Sequence, residues 1–488
     1  MPELTLIQEE KNIIISFEGT PLLRDVLVKS GILFDSPCGG NGICGKCKVK
    51  LSGNVSEPNK TEIKANCRLA CQTRLLGDAS VELISATAEF LNVETKTDEV
   101  DNCNTDWHYG VAVDIGTTTV VLKLFNHVGT CLSTVSAVNP QRVFAEDVIG
   151  RLDFALRGNA EILKNQIERC VDELINTACE IANISPLDID KKVITGNTAM
   201  LYLFTGRSPE SIAVAPFESD TLFGEYYGDA YLTTCMNAFV GGDITCAILD
   251  TSMCDSNETA LLCDIGTNSE IALWKDNQLY VTSAAAGPAF EGGEISCGMG
   301  SVSGAIDSVT VENGVINAHT IDNTKAIGIC GSGLISTISA FLELGYIDNS
   351  GYGKNIPDIN ANGGSVRLTQ DDIRALQLAK SAICSGIEIL LKRTKTDIND
   401  VKTFYISGGF GNNLSITDAI RIGLFPKELG DKVKLMGNAA LSGAIKLLFD
   451  NDNIDKSKIL ANQSTHINLA GEDDFYTAFI KNIDFPII

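Results

Sequence analysis

Two stretches of the chain, YGVAVDIGTTTVVLKLF at 109–125 and LLCDIGTNSEIALW at 261–274, follow one pattern: apolar strand, Asp-Ile-Gly-Thr turn, polar pair, second apolar strand. Asp114, Ile115, Gly116 and Thr117 correspond to Asp264, Ile265, Gly266 and Thr267. A repeat spaced 150 residues apart predicts two related halves that face each other. Glycine lets each turn close tightly, and adjacent backbone N–H groups point into one concavity. Thr117, Thr118, Thr267 and Asn268 add side-chain donors. Such a nest suits phosphate oxygens. Asp114 and Asp264 at the strand ends would repel a bare anion, so they become useful where Mg²⁺ lies between, usually through its waters.

A third element, FYISGGFGNN (404–413), is an apolar strand running into Gly408, Gly409 and Gly411. With side chains absent there, a flat ring such as adenine could lie against backbone. GNAALSGA (437–444) puts small residues on a helix, which suits close helix–helix contact at a hinge. GICGSGLI (328–335) is a loop leading into a helix, whose first N–H groups could meet a phosphate or simply be capped. Glu291 and Glu294 lie in the glycine-rich GPAFEGGEISCGM (287–299).

Cysteine is concentrated once. Cys38, Cys44 and Cys47 lie in PCGGNGICGKC, a C-x5-C-x2-C spacing in a glycine-rich loop that lets backbone wrap closely around an iron–sulfur cluster. CRLACQT offers Cys67 or Cys71 as fourth ligand. A zinc knuckle would need a second C-x2-C pair, which is missing. The loop and the RLACQ segment resemble ferredoxins of the adrenodoxin kind, in which the cysteine of RLxCQ closes a [2Fe–2S] site; that resemblance favours Cys71. The remaining cysteines, Cys263 and Cys330 among them, read as small buried hydrophobes.

The segment 1–86 alternates strands with one helix: IIISF (13–17), TPLLRDVLVKSG (20–31) as the helix, KCKVKL (46–51) and SVELI (80–84). Thr20 is the expected N-cap, Pro21 the first helical residue and Gly31 the C-terminal cap. At 87–108 the composition turns acidic and polar, which predicts a mobile linker. An α/β pattern then runs on, as halves 109–255 and 256–488. The net charge of −24 makes nucleic acid and anionic membranes poor partners. No run of 18 apolar residues occurs, and the start shows no secretory signal, so a cytoplasmic protein is expected. In a reducing compartment its 16 cysteines are not expected to form disulfides.

DIGTTT, DIGTNSE and ISGGFG stand in the order of the phosphate-1, phosphate-2 and adenosine motifs of the actin/Hsp70/sugar-kinase (ASKHA) superfamily, which the chain resembles over 109–488. VITGNTAM (193–200) and GNAALSGA look like its two connecting segments. The resemblance implies a two-lobed α/β ATPase behind an α+β, β-grasp ferredoxin-like domain. ATP and Mg²⁺ would lie in the cleft on Asp114, Gly116, Thr117, Thr118, Asp264, Gly266, Thr267, Asn268, Gly408, Gly409 and Gly411. Asp114 and Asp264 would serve catalysis. Asp243, in a GGD placed as sugar kinases place a catalytic Asp, would orient the attacking water.

The whole layout resembles the reductive activators of corrinoid proteins. That resemblance implies an ATP-hydrolysing activase that returns Co(II) to Co(I) in a corrinoid protein of a methyltransferase system or the acetyl-CoA pathway of an anaerobe. The electron would come through the [2Fe–2S] cluster from an external low-potential donor, and a homodimer is compatible with it. Moving one electron about 120 mV uphill costs about 2.8 kcal/mol, at ~59 mV per tenfold. Conformational coupling of ~1–3 kcal/mol is typical, so nucleotide can drive such a step. The linker runs directly into the first phosphate motif, so an additional middle domain, as in longer members, is not expected. The rivals are an activator of 2-hydroxyacyl-CoA dehydratases, which would carry a [4Fe–4S] cluster between two subunits, a small-molecule kinase, and an ATP-gated redox sensor.

Overall fold

The computed structural model describes all residues except 8–11, 31, 33–39, 41, 43–46, 66, 84–91, 95–99, 101–104, 146, 410–412, 470–472 and 488. Cys38, Cys44 and Gly411 therefore lie outside the described residues.

The N-terminal domain is built from β1 (Glu3–Leu6), β2 (Ile13–Ser16), α1 (Leu23–Lys29), β3 (Lys48–Val55), α2 (Lys60–Ala65), β4 (Arg68–Leu69) and β5 (Leu75–Leu83). Its five-stranded sheet has the order β2-β1-β5-β3-β4, with β1 and β5 parallel. The helix α1 lays Leu23, Val26, Leu27 and Val28 on that sheet, which completes a β-grasp. It starts later than its sequence predicts. Leu22, not Thr20, is the N-cap, and Ser30 rather than Gly31 closes the helix. Leu22 forms a β-bridge with Arg74 and Pro21 accepts from the Leu75 N–H, so sheet pairing keeps 21–22 extended and overrides the proline signal.

β6 (Asn92–Glu94) falls inside the segment expected to be a free linker, yet it pairs antiparallel with β9 (Cys131–Val138). Trp107, at the end of that segment, is buried against Phe449. Residues 92–94 and 107 of the expected linker are thus anchored to the fold.

Beyond it, β7 (Tyr109–Ile115), β8 (Thr119–Asn126) and β9 form an antiparallel meander. Strand β10 (Ile189–Gly196) runs parallel to β7, and β11 (Glu225–Tyr227) and β12 (Ala230–Leu232) complete the seven-stranded order β11-β12-β10-β7-β8-β9-β6. Helices α3 (Val148–Phe154), α4 (Ala160–Ala182), α5 (Thr198–Thr205), α6 (Glu210–Ala213) and α7 (Gly242–Thr251) belong to this half. The second half repeats the plan. β13 (Ala260–Ile265), β14 (Asn268–Lys275) and β15 (Gln278–Ala285) make the meander. A later strand, Thr403–Gly408, pairs parallel with β13 as β10 does with β7.

The repeat therefore extends to a third strand that sequence comparison of the turns does not reveal. Gly196 pairs with Ile115, and Gly408 with Ile265, at equivalent places. Gly408 has φ 114°, and a Cβ there would stand 2.2 Å from the Ile265 carbonyl oxygen. A side chain is excluded first by the neighbouring strand, which is a stronger reason for glycine than room for a ring.

The two sheets are joined by helices. α7 packs on the helix Ala439–Phe449, and both insert between the sheets in a shared core with Ala112, Val193, Leu262 and Ala272. A Cβ on Gly443 would stand 1.9 Å from the Cys246 carbonyl oxygen, so the small-residue run GNAALSGA does serve close helix contact. GICGSGLI behaves differently. Gly331, Ser332 and Gly333 open a helix ending at Glu343 but are buried, and a Cβ on Gly333 would meet the Ile306 carbonyl at 2.0 Å. Its small residues permit packing. No helix among the described residues is long and apolar enough to cross a membrane.

Candidate functional site

The two Asp-Ile-Gly-Thr turns end β7 and β13 and meet across a narrow cleft lined in part by Asn197, Thr198, Asn268 and Glu270. The first turn is clamped by side chains from its own half. Asn139 Nδ2 donates to the Gly116 carbonyl at 2.8 Å, and Arg151 Nη2 donates to the Thr117 carbonyl at 2.6 Å. Asn197 Nδ2 donates to Thr117 Oγ1 at 3.1 Å. In the second turn the Thr267 N–H and hydroxyl donate to one oxygen of Glu291, at 2.6 and 3.1 Å. The other oxygen of Glu291 accepts from the Thr118 hydroxyl. One carboxylate thus spans donors of both turns, and a phosphate group taking those donors competes with it.

Asp114, Asp243 and Asp264, the three carboxylates singled out from the sequence, come together. Asp243 sits in the first turn of α7, where its Oδ1 accepts from the Ile244 N–H at 2.8 Å. Burial, then the charges of Asp264 and Asp114, push its carboxyl up to about 8. Asp114 is raised to about 6 by burial, with a smaller push from Asp264, against a 2.9 Å hydrogen bond donated by Asn438 Nδ2. Asp264 is also raised to about 6, by burial and then Glu291, while Ser407 Oγ donates to it at 2.8 Å.

The sequence reading missed Glu270, Ser407 and Asn438. Glu270 is buried directly opposite Asp264 in the β13–β14 register, and burial followed by Asp243 and Asp264 raises its carboxyl well above the usual range. Its signal was period-two alternation from Asn268, which places both residues on one strand face. Asn438 N-caps the following helix, accepting from the Leu441 N–H at 2.8 Å, while its amide reaches Asp114. Among the described residues no lysine or arginine forms an ion pair with Asp114, Asp243, Asp264, Glu270 or Glu291. Carboxylates gathered without a counter-charge fit a divalent cation. Among the described residues, no three His, Cys, Asp or Glu side chains are grouped so as to hold a metal ion directly.

This charge cluster has a measurable pH signature. Asp114, Asp243 and Asp264 hold their protons more tightly folded than unfolded, so between about pH 4 and 8 the folded chain binds more protons. Their contribution makes stability fall as pH rises through that window. The melting temperature of the nucleotide-free chain, measured in chelator, is expected to drop from pH 6 to 8.5, and Mg-ATP is expected to flatten the slope.

In the N-terminal domain Cys47 and Cys71 are both buried, with Sγ atoms 3.3 Å apart, well beyond the ~2.05 Å of a disulfide and fit for sharing one metal centre. Gln72 Nε2 reaches Cys71 Sγ at 3.6 Å, the kind of N–H donation a cluster sulfur receives. Cys67 is half-buried and belongs to the turn before β4. Glu62, 1% exposed, holds the RLACQT segment in place. It accepts from the Leu69 N–H, Arg68 Nε and Thr73 Oγ1, each at 3.0 Å, and from the Asn59 N–H at 2.9 Å. Nothing in the sequence marks it, since its partners are assembled by the fold. Glu62→Gln leaves Arg68 short of its charged partner and is expected to cost about 3 kcal/mol. Faster bleaching of cluster absorbance on heating would register it.

Comparison with known proteins extends over the same segments. A family model described as the C-terminal domain of RACo, the ASKHA domain, matches residues 258–487. One described as the RACo middle region matches 109–256, and a 2Fe-2S iron-sulfur cluster binding domain matches 7–76. The middle region of that family coincides here with the first half of the α/β part. Corrinoid activation enzyme RamQ of Eubacterium limosum is 32% identical over 418 residues, 77% of this chain and 70% of that protein. The [Co(II) methylated amine-specific corrinoid protein] reductase of Methanosarcina barkeri is 26% identical over 424 residues, 77% of each. A solved structure, the reductive activator for corrinoid, iron-sulfur protein, superposes with a TM-score of 0.72 at 25% identity, covering 100% of this chain and 98% of that one.

Proposed function

The chain belongs to the RACo family of reductive activators, and from that premise we propose that it returns a corrinoid protein from Co(II) to Co(I) at the expense of ATP. The observation that carries this reading is the combination, in one chain, of the Cys47–Cys71 sulfur pair with two phosphate turns facing a carboxylate cluster.

When bound, a [2Fe–2S] cluster supplies a one-electron donor, and Mg-ATP supplies a ligand whose differential affinity favours one conformation. Cys47 and Cys71, with Cys38 and Cys44 of the loop, would hold the cluster. Thr117, Thr118, Thr267 and Asn268 would take phosphate oxygens on the backbone of Gly116 and Gly266. Asp114 and Asp264 would hold Mg²⁺ through its waters. Gly408 and Gly409 border the adenosine side, and nothing within 4 Å would obstruct a Cβ at Gly409, which leaves that face open. Asp243 would orient the attacking water. With a carboxyl raised to about 8 it is largely protonated at neutral pH, and it becomes a proton acceptor once the surrounding negative charge is neutralised. The reduction consumes one electron per cobalt, which an external low-potential donor must replace.

Mixed anaerobically with a Co(II) corrinoid protein and a low-potential reductant, the chain is expected to give the Co(I) absorbance band with Mg-ATP and not without it. No band with several corrinoid partners, despite an intact cluster spectrum and bound nucleotide, would favour an ATP-gated redox sensor.

A further inference from the structure

Arg24, on α1 of the N-terminal domain, is 5% exposed and stands where three segments meet. Its backbone N–H donates to the carbonyl of Ala70, the residue before Cys71, at 3.0 Å. Its side chain lies against the cysteine loop, where a Cβ on Gly40 would be 3.3 Å from Arg24 Cδ and Nε. Its Nη2 crosses to the first ASKHA half and donates to the carbonyls of Val143 and Phe144, at 3.3 and 3.2 Å.

Those carbonyls end the short 3₁₀ turn Pro140–Val143, where a helical segment leaves acceptors unsatisfied. The other end of the same segment grips the first phosphate turn. Asn139 caps the 3₁₀ turn, donates Nδ2 to the Gly116 carbonyl at 2.8 Å, and donates its N–H to the Thr118 carbonyl at 2.8 Å. One residue past Phe144, the Ala145 carbonyl accepts from Arg151 Nε at 2.9 Å, and Arg151 Nη2 donates to Thr117. Asn139 and Arg151 are fully buried, and Phe144 stacks on Phe154 with ring centroids 4.7 Å apart. Seven residues, 139–145, therefore hold Gly116, Thr117 and Thr118 on one side and the cluster-bearing domain on the other.

We propose that Arg24 and the segment 139–145 are the joint through which phosphate occupancy of the first turn sets how the ferredoxin domain docks on the ATPase. Arg24 is a positioning residue that acts through the carbonyls it engages. Loss of the Val143 and Phe144 carbonyls would take two acceptors from a buried guanidinium, whose Nη1 stays 3.6 Å from Asp25 on its own helix, and burying a donor without its acceptor costs desolvation. A shift of the 139–145 carbonyls by a fraction of a hydrogen-bond length is therefore enough to favour docked or released ferredoxin. The joint rests on the nucleotide reading of the two turns given above, and it adds a specific path by which that nucleotide reaches the electron carrier.

Hydrogen exchange on the cluster-loaded full chain, with and without a non-hydrolysable Mg-ATP analogue, tests it. In the wild type the analogue is expected to change exchange at 139–145 and at 23–29 together, by about fivefold or more, a coupling of ordinary size. In Arg24→Gln the response at 139–145 should persist with nucleotide affinity within about twofold, while the response at 23–29 disappears. Arg24→Lys, which keeps the charge and one donor, should fall between and covers the case that the glutamine variant loses its cluster. Wild-type binding that alters 139–145 but leaves 23–29 unchanged overturns the joint alone. So does a full response at 23–29 in Arg24→Gln. No binding of the analogue to the wild type removes the nucleotide reading together with the joint.

Discussion

Cys71→Ala is expected to abolish cluster absorbance and, with it, all ATP-dependent Co(I) formation, while Cys67→Ala retains both. The reason is placement. Cys71 Sγ lies 3.3 Å from Cys47 Sγ in a buried pair, and Gln72 adds an N–H donor to the same sulfur. Cys67 sits four residues earlier, half-buried before β4. Iron content per chain together with the visible spectrum reads the difference. A cluster that survives in Cys71→Ala and fails in Cys67→Ala would invert the assignment. Nucleotide should still bind to both variants, since the phosphate turns belong to another domain.

Asp243→Asn is expected to slow ATP hydrolysis by roughly a hundredfold or more, the size of a lost acid–base contribution. Because Asp243 is held in a cluster with Asp264 and Asp114, the same substitution removes a charge that repels its neighbours. The nucleotide-free chain should then melt at a higher temperature above pH 8, with a shallower pH slope. A residue needed only for packing would lose stability and rate together, so opposite signs in phosphate release and melting temperature separate the two roles. Hydrolysis at the wild-type rate would transfer the water-orienting role to another carboxylate of the cluster, with Glu270 the first to replace by glutamine.

What the sequence made legible was local. A turn such as Asp-Ile-Gly-Thr or a loop such as PCGGNGICGKC carries its chemistry within a few residues, and its repetition or spacing survives any uncertainty about the fold. Glu270, Asn438 and Glu62 were not readable in that way. Glu270 becomes part of the site through the strand register opposite Asp264, and Asn438, 324 residues after Asp114, through the approach of the helix it caps. The start of α1 shows local signals losing to a tertiary one, since Thr20-Pro21 is a good helix opening that the bridge from Leu22 to Arg74 overrules. GICGSGLI looked like a helix start that either meets a phosphate or is simply capped, and the glycines of ISGG looked like room for a flat ring. In the fold, Gly333 and Gly408 make room for backbone instead.

The contact at Gly443 means that this site can be disabled from a place where no chemistry occurs. Position 443 lies within the helix that opens just after Asn438, and the Cys246 carbonyl it faces lies three residues beyond Asp243. A single methyl group there would pry apart the two helices that present those side chains, displacing Asn438, a partner of Asp114, and Asp243 in one movement. Selection at such a position acts on the absence of atoms. Its heritable failures would look like catalytic lesions while leaving every functional side chain in the sequence intact.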